Sequence, residues 1–370
     1  MNRHNKQTDF IYNYKNGSRL DFIKRIPKTL YFGASSICQQ SCLFCHSKDL
    51  RHKGQHLPFN DYIKTLDSFK KLGLDYEFCA LAGGGEPMLY KDGDKDINDQ
   101  IISAYDRGYK VFIISAENDY SRITKEAADK LHNLRISFTR INEKGNKDKG
   151  TIYNFGHIPE SKICGSYIMY DETLPKYDYE VEKALREKNK REWMYEEKTT
   201  NEIIDKIFDI HIKYPFLKNT RISPDYFLIK ENGDKLIKKF KYRAVLKKFD
   251  ISRFEIDTSY TRDNRFSPYR DSCIEGIINT TIHPKYADGD LNDDGSWIVS
   301  WCRQHVFNKK TFDTRYENCK IDEIESKFKS IIDIYLRTGV PHKDAPHICT
   351  MCCAAKMQEA AHNVYKNLDE

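Results

Sequence analysis

Residues 29–250 predict an α/β fold, a partial (β/α)6 barrel, followed by a small cysteine-rich α+β unit in 251–370. Three observations carry this reading. Apolar, β-prone runs alternate with helical stretches of roughly ten to fifteen residues, the signature of βαβ units and a parallel sheet. Six such strand–helix steps fall within about 200 residues, too few for a closed eight-stranded barrel. Two strand ends run directly into a cysteine loop and a glycine loop, where parallel α/β folds place their ligands.

Residues 1–28 form a polar lead-in with no apolar signal core. Lys28 to Ser35 is apolar and β-prone, and the cysteine loop follows it. From Pro58 to Leu72 apolar residues recur at helical spacing (Tyr62, Ile63, Leu66, Phe69, Leu72), and Gly73 closes that helix. Glu77 to Ala82 is a buried-strand run ending in Gly83-Gly84-Gly85-Glu86-Pro87. Ile97 to Asp106 is helical and Gly108 stops it. Lys110 to Ser115 is a strand, Ile123 to Leu131 a helix, and Arg135 to Thr139 a strand. After a loop at Glu143 to Gly150, Lys162 to Met169 makes another strand. Residues 171–200 are densely charged with both signs, a solvated insertion. Asn201 to Tyr214 is a helix, and Thr220 to Ser223 a strand that Pro224 ends.

Lys235, Lys238, Lys239, Lys241, Arg243, Lys247 and Lys248 crowd the next predicted helix, interleaved with Leu236, Ile237, Phe240 and Val245. A solvated helix face accounts for this run better than a nucleic-acid patch does. Past residue 250 the alternation ends in a loop-rich stretch, an apolar helix from Ile324 to Leu336, and a final cysteine cluster.

The 370 residues can bury a large core, with 39% hydrophobic and 31% charged content. A net charge of +6 is mild at this length and does not argue for nucleic acid. No apolar run approaches the roughly 20 residues of a membrane span. The expected location is therefore cytoplasmic, with no membrane partner. In that reducing setting the eleven cysteines are expected to bind metal or do chemistry rather than pair as disulfides. Cys79 and Cys164 are the exceptions, isolated in apolar runs as small core residues.

The chemistry begins at Cys38-Gln39-Gln40-Ser41-Cys42-Leu43-Phe44-Cys45. Three thiolates in a C-x3-C-x2-C run hold three irons of a cubane cluster and leave a fourth iron open, where iron–sulfur sites ordinarily use four cysteines. Two other readings compete. Cys42-Leu43-Phe44-Cys45-His46 fits haem attachment, although Cys38 then has no role. A zinc knuckle also accepts closely spaced cysteines. One βα step later, glycines let the backbone approach a ligand, and the Glu86 carboxylate offers an acceptor for an ammonium group. Taken alone, the same residues fit a tight turn with an exposed Glu.

The cysteine run and Gly84-Gly85-Glu86-Pro87, in this order, resemble the radical S-adenosylmethionine (radical SAM) enzymes. That resemblance implies a [4Fe-4S] cluster on Cys38, Cys42 and Cys45, with S-adenosylmethionine (SAM) chelating the open iron. It implies that Gly84, Gly85 and Glu86 bind the methionine amino group. Ser115 is the polar strand-end residue of the family, although Ser115-Ala116-Glu117-Asn118 departs from its usual Thr-Asn-Gly. Ser137 matches the Ser of the family's iSxD edge, with Thr139 in place of Asp, and Arg140 is a candidate partner for the SAM carboxylate. Ser137 and Arg140 are also ordinary surface-turn residues.

Cys273, Cys302, Cys349 and Cys352 supply four more thiolates, and Asp294-Gly295-Ser296-Trp297 leads to Cys302. This layout resembles the twitch or SPASM auxiliary-cluster domain of one radical SAM branch and implies an auxiliary [4Fe-4S] cluster. The SPASM signature is incomplete, Cys353 competes with Cys352, Cys319 is a spare, and a structural zinc site also fits. Asp290, Asn292, Asp294 and Gly295 open like a calcium loop, but Trp301 stands where the closing Glu belongs. The family implies reductive cleavage of SAM to a 5′-deoxyadenosyl radical that abstracts hydrogen from a substrate, with an electron from a flavodoxin- or ferredoxin-type donor. The short lead-in favours a small-molecule substrate (a sugar, aminocyclitol or nucleotide) over a peptide. A zinc-stabilised nucleic-acid-binding protein is the alternative of another class.

Overall fold

The computed structural model describes residues 10–11, 13–14, 17–40, 54–138, 153–169, 197–217, 219–224, 233–256, 279–284, 286–287, 290–291, 297–300, 319–338, 364 and 368. Its elements begin with α1 (Arg19–Arg25), β1 (Lys28–Phe32), α2 (Phe59–Lys71), β2 (Tyr76–Leu81), α3 (Ile97–Asp106) and β3 (Lys110–Ser115). There follow α4 (Lys125–Lys130), β4 (Leu131–Ser137), β5 (Ile163–Met169), α5 (Glu197–Lys213), β6 (Thr220–Pro224) and α6 (Gly233–Leu246). Last come β7 (Phe254–Ile256), β8 (Asn279–Pro284), β9 (Trp297–Ser300), β10 (Cys319–Lys320) and α7 (Ile324–Thr338).

The strands form one sheet in the order β10-β9-β8-β1-β2-β3-β4-β5-β6-β7. The eight from β8 to β7 are parallel, while at one edge β9 pairs antiparallel with β8 and β10 pairs antiparallel with β9. A parallel α/β sheet of this kind fits the partial barrel expected of the core. The sheet also runs past residue 250: β7 extends one edge, and β8 lies beside β1 at the other. Periodicity showed the alternation ending there because the partner of β8 is the most N-terminal strand.

Strand alternation sorts the sheet into two faces. Leu30, Phe32, Cys79, Leu81, Val111, Ile113, Leu134 and Ile136 enter one core with residues of α2, α3 and α4 such as Phe69, Ile101 and Ala127. Tyr31, Phe78, Ala80, Ala82 and Phe112 form a separate cluster on the opposite, inner face. Toward β4, β5 and β6 the same alternation puts Asn133, Arg135, Ser137, Cys164, Ser166 and Arg221 on the inner face. Cys79 is fully buried, as expected, whereas Cys164 is only half-buried, because it faces inward beside this polar row.

The polar lead-in contains α1, which its composition concealed. Ser18 and Asp21 form a capping box at its start, and Phe22 and Ile23 are buried. The Lys28 side chain, 0% exposed, donates to the main-chain oxygens of Ile23 and, at 2.8 Å, Ile26. A lysine at a helix C-terminus satisfies carbonyls left without helical partners.

The basic run lies on α6, which packs on α5. Leu236, Phe240 and Ala244 meet Ile203, Ile204, Ile207 and Phe208, and Arg243 and Lys247 pair with Asp205 and Asp209 of α5. Part of the positive charge is therefore spent on helix–helix packing. No helix among the described residues is long and apolar enough to cross a membrane.

His211 of α5 is fully buried, with Nε2 2.6 Å from Thr220 Oγ1, and burial lowers its pKa to about 4. An unfolded histidine takes a proton near pH 6.5, so the stability His211 contributes is present above that pH and is lost as pH falls toward 4. Denaturant titrations should show wild type losing about 2 kcal/mol more than His211→Gln between pH 7 and pH 5. Equal losses in the two proteins would show that His211 is not held neutral.

Candidate functional site

Three consecutive strand-end loops converge at one end of the sheet. The first leaves β1. Gly33 N–H still bonds Ile282 O at 3.0 Å, and Leu57 N–H bonds Ala34 O at 2.9 Å. Ser36 N–H reaches Gln55 O at 2.9 Å, and Gln55 N–H reaches Ser36 Oγ at 2.7 Å. Residues 34–36 and 55–57 thus clasp the cysteine loop at both ends. Cys38 is half-buried, and Gln40 N–H donates to its Sγ at 3.5 Å. Cys42 and Cys45 lie outside the described residues.

The second loop, Gly83 to Glu86, packs main chain to main chain on the first. Gly84 has φ +72°, the left-handed region that favours glycine. A Cβ added to Gly85 would stand 2.6 Å from Ser35 O and nearer still to Ile37 O. Glu86 N–H donates to Ile37 O at 2.7 Å. Gly85 is therefore required for contact between the two loops, one residue before Cys38. At Gly83 an added Cβ would meet nothing within 4 Å, so the backbone there borders open space.

Glu86 is turned into the protein, its side chain 2% exposed. Oε1 accepts from Ser115 Oγ at 2.6 Å and Met88 N–H at 3.1 Å, and Oε2 accepts from Ala116 N–H at 2.9 Å. Burial raises its pKa, and these three bonds oppose the rise. The carboxylate thereby fixes the third loop to the second, with the Ser115 hydroxyl as one of its donors.

The third loop returns to the first. Glu117 Oε2 accepts from Gln39 Nε2 at 2.6 Å, and Glu117 N–H bonds Ser115 Oγ at 3.0 Å. Tyr120 OH holds Glu117 O at 2.6 Å. Sequence reasoning missed Gln39 and Glu117. The visible signal was an acid, Glu117, within a stretch that departs from Thr-Asn-Gly.

Ser137 ends β4 on the inner face, half-buried and level with Ser166 of β5. Arg140, Cys273, Cys302, Cys349, Cys352 and the competing Cys353 lie outside the described residues, as do Asn292, Asp294 and Gly295 of the calcium-like loop. Asp290 sits in a small hairpin with Tyr286–Ala287. The spare, Cys319, is 1% exposed in β10 within the main core, and burial pushes its thiol up to about 12. Its side chain packs among the residues of the main core. Among the described residues no three His, Cys, Asp or Glu side chains gather around a metal position.

Residues 34–147 match the Radical SAM superfamily. No curated protein matches the chain. Among solved structures it is similar to Streptococcus suis SuiB, at 15% identity over 81% of this chain and 68% of that one, with a TM-score of 0.44. It is also similar to anSMEcpe with bound AdoMet, at 12% identity over 91% of this chain and 96% of that one, TM-score 0.42. A third similarity is to the FeFe-hydrogenase maturase HydG from Carboxydothermus hydrogenoformans, at 10% identity over 65% and 59% of the two chains, TM-score 0.32.

Proposed function

We propose, from a chain that is an enzyme of the radical SAM class with its radical SAM domain at residues 34–147, that Cys38, Cys42 and Cys45 hold a [4Fe-4S] cluster beside SAM. The observation that carries this is the packing of Gly85 and Glu86 on the main chain of Ser35 and Ile37, directly before Cys38. The residues fit the group. The Gln40 N–H donated to Cys38 Sγ is the kind of bond that tunes a cluster thiolate. When bound, the cluster and SAM supply one-electron chemistry that splits SAM and takes a hydrogen atom from the substrate.

The chain's own residues do the positioning. Gly83 and Gly84 present main-chain groups where side chains would block approach. Glu86 holds the strand end at Ser115 and Ala116 in place, and Gln39 and Glu117 tether the cysteine loop to the same strand. Ser137 and Arg140 are assigned to SAM itself. We assign Cys273, Cys302, Cys349 and Cys352 to a twitch-like auxiliary cluster, with a flavodoxin- or ferredoxin-type protein as electron donor. The polar inner face favours a small polar molecule as substrate.

The test is anaerobic iron and sulfide analysis with a SAM-cleavage assay. About eight irons are expected in wild type and about four after Cys349→Ala. Cys42→Ala should abolish SAM cleavage, whereas Cys349→Ala should keep it. Cleavage that survives Cys42→Ala, or a colourless zinc protein, would sink the assignment.

A further inference from the structure

Resting on the radical SAM reading, the geometry points to an oxyanion site on the inner face of the sheet, in which Arg135, with Asn133 beside it, grips a carboxylate or phosphate group of the substrate. Arg135 lies on β4, level with Ile114 of β3 and Cys164 of β5. Its neighbours Leu134 and Ile136 point into the helix-covered core, so Arg135 faces inward. Its Nε is buried without a hydrogen-bond partner, and it forms no ion pair with any described residue. A guanidinium does not shed its charge at accessible pH, and its buried Nε–H lacks an acceptor while the side chain as a whole is only half-buried. The planar fork of an arginine matches a carboxylate or phosphate in two parallel bonds.

The depth of Arg135 separates substrate from cofactor. It sits one alternation below Ser137, which ends β4 at the same end of the parallel sheet as the glycine and cysteine loops. One alternation further down, Asn133 pairs with Phe112, which packs on Tyr31 at 6.4 Å. A group reaching Arg135 therefore belongs to a molecule lying deeper than the strand-end loops and above an aromatic floor. Asn133 Oδ1 is also buried without a partner. As an acceptor it takes an O–H or N–H hydrogen adjacent to the anionic group. Arg221 shares the inner face but stands opposite Glu255 in register, so its charge has a carboxylate on the neighbouring strand. The substrate class is thus a small molecule with an oxyanion next to a hydroxyl or amine.

Full-length holoenzyme can be titrated anaerobically with inorganic phosphate, followed by phosphorus NMR line width, and with acetate, followed by carbon NMR. Wild type should bind at least one probe, and Arg135→Gln should weaken that binding about tenfold or more. The better probe tells a phosphate substrate from a carboxylate one. Equal binding by both proteins, or no binding of either probe by wild type, would overturn the site. If Arg135→Gln does not fold, Arg135→Lys replaces it: the charge stays but the fork is lost, and unchanged affinity for both probes would again overturn the site. SAM affinity measured in the same samples separates the two levels of argument. Failure of wild type to bind SAM brings down the radical SAM reading itself. A tenfold loss of SAM affinity in the variant, with probe binding intact, would assign Arg135 to the cofactor and refute the substrate site.

Discussion

Gly85→Ala should strip the protein of its cluster and lower its melting temperature together. The new methyl group would lie 2.6 Å from Ser35 O and closer to Ile37 O. Both are main-chain atoms held in place: Ile37 O accepts from Glu86 N–H, and Ser35 lies between the two clasp bonds made by Ala34 O and Ser36 N–H. Neither can swing aside as a flexible side chain would, so the loops must separate. Overpacking of this kind costs about 1–3 kcal/mol, and the separation moves Cys38 relative to Gly83 and Gly84. Iron content after anaerobic reconstitution and thermal unfolding of the same sample check the point. Gly73→Ala is the control: its methyl enters open space at the end of α2, leaving only the strain of φ +64°. If Gly85→Ala keeps both iron and melting temperature, the two loops are not held in contact.

Glu86→Ala is the second large effect. It removes the acceptor from Ser115 Oγ, Ala116 N–H and Met88 N–H in a site that is 2% exposed. Each donor stranded without water costs about 1–3 kcal/mol, so a loss of about 3–5 kcal/mol is expected, large for one substitution. Glu86→Gln, which keeps one acceptor oxygen, should lose less. The two carboxyl states also differ with pH. Burial holds the Glu86 pKa above its ordinary value. A carboxyl raised in this way contributes most below its unfolded pKa, and the contribution is lost as pH rises through the elevated folded value. Wild type should therefore lose stability relative to Glu86→Gln between pH 4.5 and pH 8. Melting curves that run parallel across that range would show that Glu86 carries no such linkage.

These outcomes separate what periodicity can reveal from what only packing reveals. The strands and helices from Lys28 to Pro224 were legible because each carries its own apolar rhythm, with errors of a few residues at the ends. β4, for example, begins at Leu131 rather than Arg135, since α4 stops after one short run behind its Thr124 cap. The glycine loop was legible as a place of close approach. Its partner was not, because nothing in Gly85-Glu86-Pro87 says that Ile37 O lies against it. The donors to Glu86 were not legible either, because composition does not show where a carboxylate turns, and Ser115 and Ala116 lie a whole βα step away. Cys319 looked like a spare ligand because its strand has only two residues, too short for any pattern. Arg135 and Asn133 stood in plain alternation with Leu134 and Ile136, but inner and outer faces become distinct only once the helices are placed.

The pairing of β8 with β1 has a consequence for the order of assembly. Residues 29–32 bond residues 279–282, so one edge of β1 has no partner until β8 has been synthesised. With β2 complete at Leu81 and β8 ending at Pro284, translation at roughly 5–20 residues per second leaves that edge open for about 10–40 s. An apolar strand edge exposed for so long is a template for pairing with other chains. Nascent protein, rather than finished enzyme, is where this fold is most exposed to aggregation.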